Sequence, residues 1–347
     1  MANTNPTWKQ SLDDGVAIPA MPLVLIDDAT WSRQHQRTLL HYYVDSGAGG
    51  IAAGVHTTQF AIREPKHNLY KPVLEFVSQT LDELAPDNFV RVAGICGKTQ
   101  QATSEAQTAA NAGYHAGLLS LTAMKDEAED AIVAHVREVA SIIPVFGFYL
   151  QPTIGGCLLP YSFWQKFCLI ENITAIKLAP FNRYHTWDVV RAVMESGRED
   201  IALYTGNDDN IINDLLTPFT YQGQTRYIVG GLLGQWAVWT KAAVEMLNAI
   251  KSARKHEKLP IDWLSKNMAL TDANAILFDS AHDFHGCIPG LLEVLRRQGL
   301  VPTNRCLDPN EILSPGQAQE IDRIYQAYPD LTDDAFVRKN LPKWLPN

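Results

Sequence analysis

The chain has 347 residues, 19% of them charged, and a net charge of -9. That length suffices for one large barrel with an appendage or for two ordinary domains, and the negative balance opposes attraction to nucleic acid or to an anionic membrane. Met1 to Asp14 is polar and no apolar run reaches the ~20 residues of a membrane span, so a soluble, cytosolic protein with neither a nucleic-acid nor a membrane partner is expected.

From Ala17 onward, short β-rich apolar runs alternate with amphipathic segments, the pattern of βα units around a parallel sheet. Eight strands are predicted: Ala17 to Ile26, Gly50 to Val55, Phe89 to Ile95, Ala116 to Leu121, Pro144 to Leu150, Ile173 to Ala179, Ile201 to Thr205 and Arg226 to Gly230. Helices are predicted between them at Ser32 to Val44, Lys66 to Leu84, Gln100 to Ala112, Glu127 to Ser141, Tyr161 to Ile170 and Thr186 to Glu195. Eight units over about 230 residues match a (β/α)8 TIM barrel. No GxGxxG turn follows the first strand, which argues against an open dinucleotide-binding sheet, and Gly94-Ile95-Cys96-Gly97 is too short to mean more than a tight turn.

After the eighth strand the pattern is helical: Gln235 to Lys255, Pro260 to Asp279, Ile288 to Gln298 and Pro315 to Ala327. The barrel is assigned to residues 1–250 and a C-terminal helical extension to 251–347, expected to pack on the barrel's flank or at a subunit interface. Five cysteines, Cys96, Cys157, Cys168, Cys287 and Cys306, are an odd number without CxxC spacing, as reduced cytosolic thiols would be.

A barrel's chemistry gathers where its strands run out at their carboxyl ends. Lys177 is a lone cation in the apolar strand Thr174 to Pro180, on the face shared with Ala175 and Ala179. An ammonium in apolar surroundings loses hydration, its pKa falls, and neutral amine becomes available to attack a carbonyl. The alternative is a strand-end lysine reaching out to water. Thr57 and Thr58 close the second strand with hydroxyls and backbone N–H groups suited to a carboxylate, or to capping a helix. Tyr149 near the end of the fifth strand is either a proton shuttle or a packed core residue. His282-Asp283-Phe284-His285 contains competent metal ligands, but no third ligand at a defined spacing, so a loop between helices is the preferred reading. Asp208 and Asp209 could serve acid–base work or Mg²⁺.

The Thr57-Thr58 turn, Tyr149-x-x-Pro152, Ile176-Lys177 and Thr205-Gly206-Asn207-Asp208-Asp209 resemble, in order and nearly across the whole chain, the dihydrodipicolinate synthase and N-acetylneuraminate lyase family. The stretch from Cys287-Ile288-Pro289-Gly290 to Leu300 and the 28-residue gap between Tyr149 and Lys177 are also similar (177 - 149 = 28). The resemblance implies a class I lyase, aldolase or dehydratase, acting on pyruvate or another 2-keto acid. Lys177 would form the imine, Tyr149 would relay protons, Thr57 and Thr58 would hold the carboxylate and join the relay, and backbone groups near Gly206 and Ile228 would line the pocket. The Asp208-Asp209 turn would then line the pocket and cap a helix. The imine is itself the electron sink, so neither metal nor nicotinamide is required. A homo-oligomer, dimer or tetramer, is expected by the same likeness.

Departures bear on the substrate. Ile154 stands where the synthase carries an arginine, and Ser120 to Met124, with Ala123, lacks the relay tyrosine lent by a neighbouring subunit. Gln59-Phe60 replaces Gly-Glu, and His56 adds a titratable donor before the threonine turn. These changes argue against dihydrodipicolinate synthesis and for a less acidic, more apolar partner, with Phe60, Phe181 and Trp236 near the mouth. The competing classes are a keto-acid-binding barrel with impaired turnover and a regulatory role, and a metal-dependent hydrolase.

Overall fold

In the computed structural model, which describes residues 6–27 and 29–345, eight parallel strands form a nearly closed barrel. The ends of the expected 1–250 and 251–347 segments, residues 1–5 and 346–347, lie outside the described residues. The strands in chain order are β1 (Ala17–Pro19), β2 (Gly50–Ala53), β3 (Val90–Ile95), β4 (Ala116–Leu119), β5 (Val145–Leu150), β6 (Ile173–Ala179), β7 (Ala202–Thr205), a hairpin of β8 (Phe219–Tyr221) and β9 (Gln224–Arg226), and β10 (Gly230–Leu233). The barrel runs β1-β10-β7-β6-β5-β4-β3-β2, and a parallel bridge between Ala20 and Ala52 closes the ring.

Two strand expectations are corrected. The eighth barrel strand is Gly230–Leu233, not Arg226 to Gly230; Arg226 belongs to the antiparallel hairpin that precedes it. The first strand stops at Pro19, because a proline lacks the N–H that would extend the ladder; beyond it the chain continues through isolated bridges at Ala20 and Leu25 and single hydrogen bonds such as Leu23 N–H to the Thr57 carbonyl (3.4 Å).

Alternation divides each strand between two cores. Ile18, Val92, Leu118, Phe146, Ala175 and Tyr204 are among the side chains filling the barrel's interior, while Ile51, Ile95, Val145, Ile176 and Leu178 face the surrounding helices. A helix unforeseen in the sequence, Thr7–Asp14, inserts Leu12 into the interior, and the Tyr204 hydroxyl donates to the Leu12 carbonyl (2.7 Å) while accepting from Val16 N–H (3.1 Å). One end of the barrel is therefore plugged, and the other is left open for a site.

One part of the C-terminal extension packs over the mouth of the barrel and another on its flank. The helix Asp262–Leu277 reaches the turn after β7, where Asn274 Nδ2 donates to the Asp208 carbonyl (2.6 Å) and Thr271 Oγ1 to the Asp209 carbonyl (2.7 Å). Leu307 N–H donates to Gln59 Oε1 (2.6 Å) and Thr303 Oγ1 to the Leu25 carbonyl (2.9 Å). The extension thus lies over the carboxyl ends of the strands. A last helix, Asp334–Trp344, packs on the first outer helix, Arg33–Asp45, with Trp344 Nε1 donating to Asp45 Oδ2 (2.7 Å).

Candidate active site

A cavity of about 600 Å³ opens at the carboxyl ends of the strands. Lys177 enters it from β6, His56 and Thr57 from the turn after β2, and Gly206 and Asp208 from the turn after β7. These four expected residues, His56, Thr57, Lys177 and Gly206, are brought together from loops and strands 150 residues apart in sequence (206 - 56). Gly206 is needed for space. A Cβ there would lie 2.4 Å from Lys177 Cε and 3.0 Å from Ala179 Cβ, so the lysine's path depends on a bare backbone at this position.

The turn that carries Gly206 is braced from beneath. Asp214, fully buried, accepts from Thr205 Oγ1 (2.7 Å) and Asn207 Nδ2 (2.9 Å) and pairs with Arg183 (2.6 Å). Asn207 Oδ1 in turn accepts from Phe181 N–H (2.9 Å), fixing the chain end of β6, where Phe181 adopts φ 48°.

Electrostatics follow from burial. Desolvation pushes the Lys177 ammonium below its ordinary value, against the opposing pull of the Asp208 carboxylate. Desolvation likewise pushes Asp208 up, with Lys177 opposing the shift and Asp209 adding to it. Asp208 Oδ1 is buried without a hydrogen-bond partner among the described residues. His56 is exposed towards the cavity but crowded by protein, and its pKa is lowered to about 4, first by that desolvation and then by the charge of Lys177, so its ring is neutral near pH 7. Its exposed surface faces the cavity, where it tilts against Phe60 at 5.8 Å between ring centres.

Three expected site residues are not in the cavity wall. Tyr149 points out of the barrel: its ring packs on Trp164 and His185 (5.2 and 5.7 Å between centres), and its hydroxyl accepts from Leu159 N–H (3.4 Å). The reason is register. A shift between Val145 and Phe146 puts Phe148, not Tyr149, beside Lys177 in the β5–β6 ladder, so alternation turns Phe148 inward and Tyr149 outward. Phe148 presents its ring face 4.6 Å from Lys177 Nζ. Thr58 is fully buried and donates to the Met21 carbonyl (2.7 Å), which makes it a brace of the turn. Ile228 is fully buried in the outer core, because the strand expected to present it begins two residues later, and its carbonyl accepts from Arg254 Nη2 (2.6 Å). Trp236, expected near the mouth, is also fully buried in that core.

Thr57 lines the cavity but its hydroxyl donates to the Ala20 carbonyl (2.8 Å), so in this rotamer it offers the cavity an acceptor. Ile154 and Ala123 line the wall at the two positions where the likeness would place an arginine and a relay tyrosine. Phe60 and Phe181 line it too, as expected.

The extension adds Phe278, Asp283, Phe284 and Cys287 to the wall; Asp283 and Phe284 belong to the loop expected between helices and Cys287 opens the family-like stretch, but none was expected in the cavity. Asp279, Asp283 and Phe284 all have positive φ (56°, 52° and 66°), uncommon for residues with a side chain and compatible with a loop folded back over the site. Asp279 holds that loop by pairing with His282 Nδ1 (2.6 Å) and accepting from Gly286 N–H (2.9 Å) and Ser314 Oγ (2.5 Å). Nothing in the local composition of this loop marks it as a cavity wall; only the path of the chain does.

No family profile and no curated sequence matches the chain. Solved structures do. A dihydrodipicolinate synthase from Oceanobacillus iheyensis matches with a TM-score of 0.73 at 15% identity, over 93% of this chain and 99% of its own. A prophage protein of the dihydrodipicolinic acid synthase family from E. coli K12, solved in complex with pyruvate, matches with a TM-score of 0.71 at 15% identity, over 89% and 97%. CdNal from Clostridium difficile, solved in complex with mannosamine, matches with a TM-score of 0.71 at 13% identity, over 90% and 99%. The chain therefore shares, across nearly its whole length, the (β/α)8 fold of the dihydrodipicolinate synthase and N-acetylneuraminate lyase structures, as a divergent example of it.

Proposed function

We propose that this barrel is a class I lyase in which Lys177 condenses with the carbonyl of a 2-keto acid such as pyruvate. The observation that carries the reading is Lys177 itself: a half-buried lysine on an apolar strand, projecting into a cavity of substrate size, with its ammonium depressed by desolvation. The imine withdraws electrons from the adjacent carbon, so a carbon–carbon or carbon–oxygen bond there can form or break. The Thr57 turn, beside Lys177 in the same cavity, is the part proposed to meet the keto acid's carboxylate. The solved E. coli neighbour with pyruvate bound is compatible with that substrate class.

The second substrate, or the leaving group, is an aldehyde or hydroxyl compound without a distal carboxylate. Ile154 offers no charge to pair with one, and Phe60, Phe148, Phe181, Phe278 and Phe284 give the remainder of the wall an aromatic character.

Borohydride reduction of the full chain with pyruvate tests the reading. It should leave a stable adduct whose mass maps to Lys177 and which Lys177→Ala lacks; failure with pyruvate and with other 2-keto acids rules the lyase out. A second reading, a barrel that binds keto acids without turnover, is favoured by the outward position of Tyr149. It predicts the adduct without release of product from any tested aldehyde.

A further inference from the structure

An imine cycle needs an acid and a base, and the residue expected to serve, Tyr149, has its hydroxyl on the far side of the β5 backbone against Leu159. The cavity's other polar groups are poorly suited: Ser120 and Thr122 are hydroxyls hydrogen-bonded to each other (3.1 Å), and the Gln151 amide is neither acid nor base. Thr57 has committed its hydroxyl proton to Ala20. His56 is a neutral ring with a depressed pKa, able to accept a proton only weakly. Cys96 is pushed up to about 11 by burial, and Cys287 is pushed higher still. Asp283 is at the exposed rim.

Asp208 differs from all of these. It lines the same cavity as Lys177, on the turn whose Gly206 touches the lysine's side chain. Its backbone is held by Asn274, so the side chain is presented from a fixed point. Its Oδ1 is buried with no hydrogen-bond partner among the described residues, which disfavours a lasting carboxylate, while the Gln235 and Asp208 backbone N–H groups favour one in part, as suits a group that must change charge.

We propose that Asp208 is the acid–base residue of the imine cycle, in the part that the family likeness gives to Tyr149. The inference rests on the lyase reading above. Lys177 and Asp208 line one cavity without a direct ion pair, so a proton exchanged between ammonium with carboxylate and amine with carboxylic acid passes through the substrate or water that lies between them. The second arrangement is reactive. The amine attacks the keto carbon, forming the C–N bond, and its surplus proton passes to the alkoxide to give the neutral carbinolamine. Asp208 then protonates the carbinolamine hydroxyl, the C–O bond breaks, water leaves, and nitrogen's lone pair completes the iminium. The products are an iminium cation, water and an Asp208 carboxylate, with the proton count balanced and no further reactant required. That carboxylate next takes a proton from the carbon beside the iminium, giving a neutral enamine and restoring the acid. For a keto acid with a leaving hydroxyl, the same proton is then available to the departing oxygen.

The test compares wild type, Asp208→Asn and Tyr149→Phe as full chains, each followed by borohydride trapping of pyruvate at Lys177 and by acetylation of Lys177 with acetic anhydride, a reaction that needs no acid. The groups facing Asp208 that could influence the pH profile are Lys177, Asp209 and Cys287, with His56, Cys96 and Asp283 on the same cavity. Removing the carboxylate removes an influence that raises the Lys177 pKa, so Asp208→Asn should acetylate at least as fast as wild type near pH 7. Its imine formation should nevertheless fall by ~10²-fold or more, as loss of a general acid does. Tyr149→Phe should form the imine within threefold of wild type. The proposal is overturned if Asp208→Asn traps pyruvate as fast as it acetylates, or if Tyr149→Phe loses imine formation by tenfold or more. Should Asp208→Asn fail to fold by circular dichroism, Tyr149→Phe decides alone on the same thresholds. A wild type without any adduct overturns the lyase reading and this assignment with it, whereas a wild-type adduct with an unaffected Asp208→Asn overturns only the assignment.

Discussion

Gly206→Ala adds one methyl group at the point where the site is tightest. The new Cβ would be 2.4 Å from Lys177 Cε and 3.0 Å from both Lys177 Cγ and Ala179 Cβ. Ordinary contact begins near 3.4 Å, so the lysine's end must retreat by about 1 Å (3.4 - 2.4). Because the closest atom belongs to a flexible side chain, the fold can yield, and the stability cost should stay in the range of about 1 to 3 kcal/mol for an overpacked site. Catalysis should suffer more. A misplacement of ~1 Å at a reacting group costs on the order of 10²-fold. The assay is the rate of borohydride-trapped pyruvate adduct at Lys177, with urea unfolding of the same variant as control. A variant that is stable and forms the adduct at the wild-type rate would refute the geometry claimed for Lys177.

Ile154→Arg should move preference toward aldehydes bearing a carboxylate, since a charged hydrogen bond contributes about 1.5 to 3 kcal/mol, or roughly 10 to 100-fold in relative kcat/KM. An unchanged ratio between carboxylated and uncharged aldehydes would show that residue 154 does not face the second substrate. His56 supplies a pH test. Its folded pKa of about 4 lies below the unfolded value of 6.5, so the folded state binds the proton less readily, and its stabilising effect is complete above 6.5 and lost as pH falls from 6.5 through 4. Melting temperatures of wild type and His56→Asn should therefore converge or cross as pH drops through that window; parallel curves would show that His56 titrates normally.

The order of strands and helices was legible in the sequence because period 2 and period 3.6 are local properties of the chain. Lys177 could be placed on the correct face of β6 because it is the one charged residue there, with small neighbours two positions away on either side. Tyr149 had no such anchor. β5 reads Val-Phe-Gly-Phe-Tyr-Leu and is apolar on both faces, so composition does not say which set points inward. The 28-residue spacing to Lys177 selected Tyr149; the register shift after Val145 makes the partner 29 residues away, Phe148. The eighth strand was displaced for a related reason: the hairpin β8–β9 has its own strand pattern and lies beside the true β10 in sequence.

By itself, then, the sequence determined the periodic elements, their alternation into a barrel, and an isolated cation in an apolar strand, all of which depend on interactions within a few residues. Only the tertiary structure decided which face of β5 meets the cavity and that residues 278–287 close over it. Those outcomes depend on one-residue registers between strands and on where a distant helix comes to rest. A single residue of shift reverses a side chain's direction while leaving the hydrophobic pattern that specifies the fold unchanged.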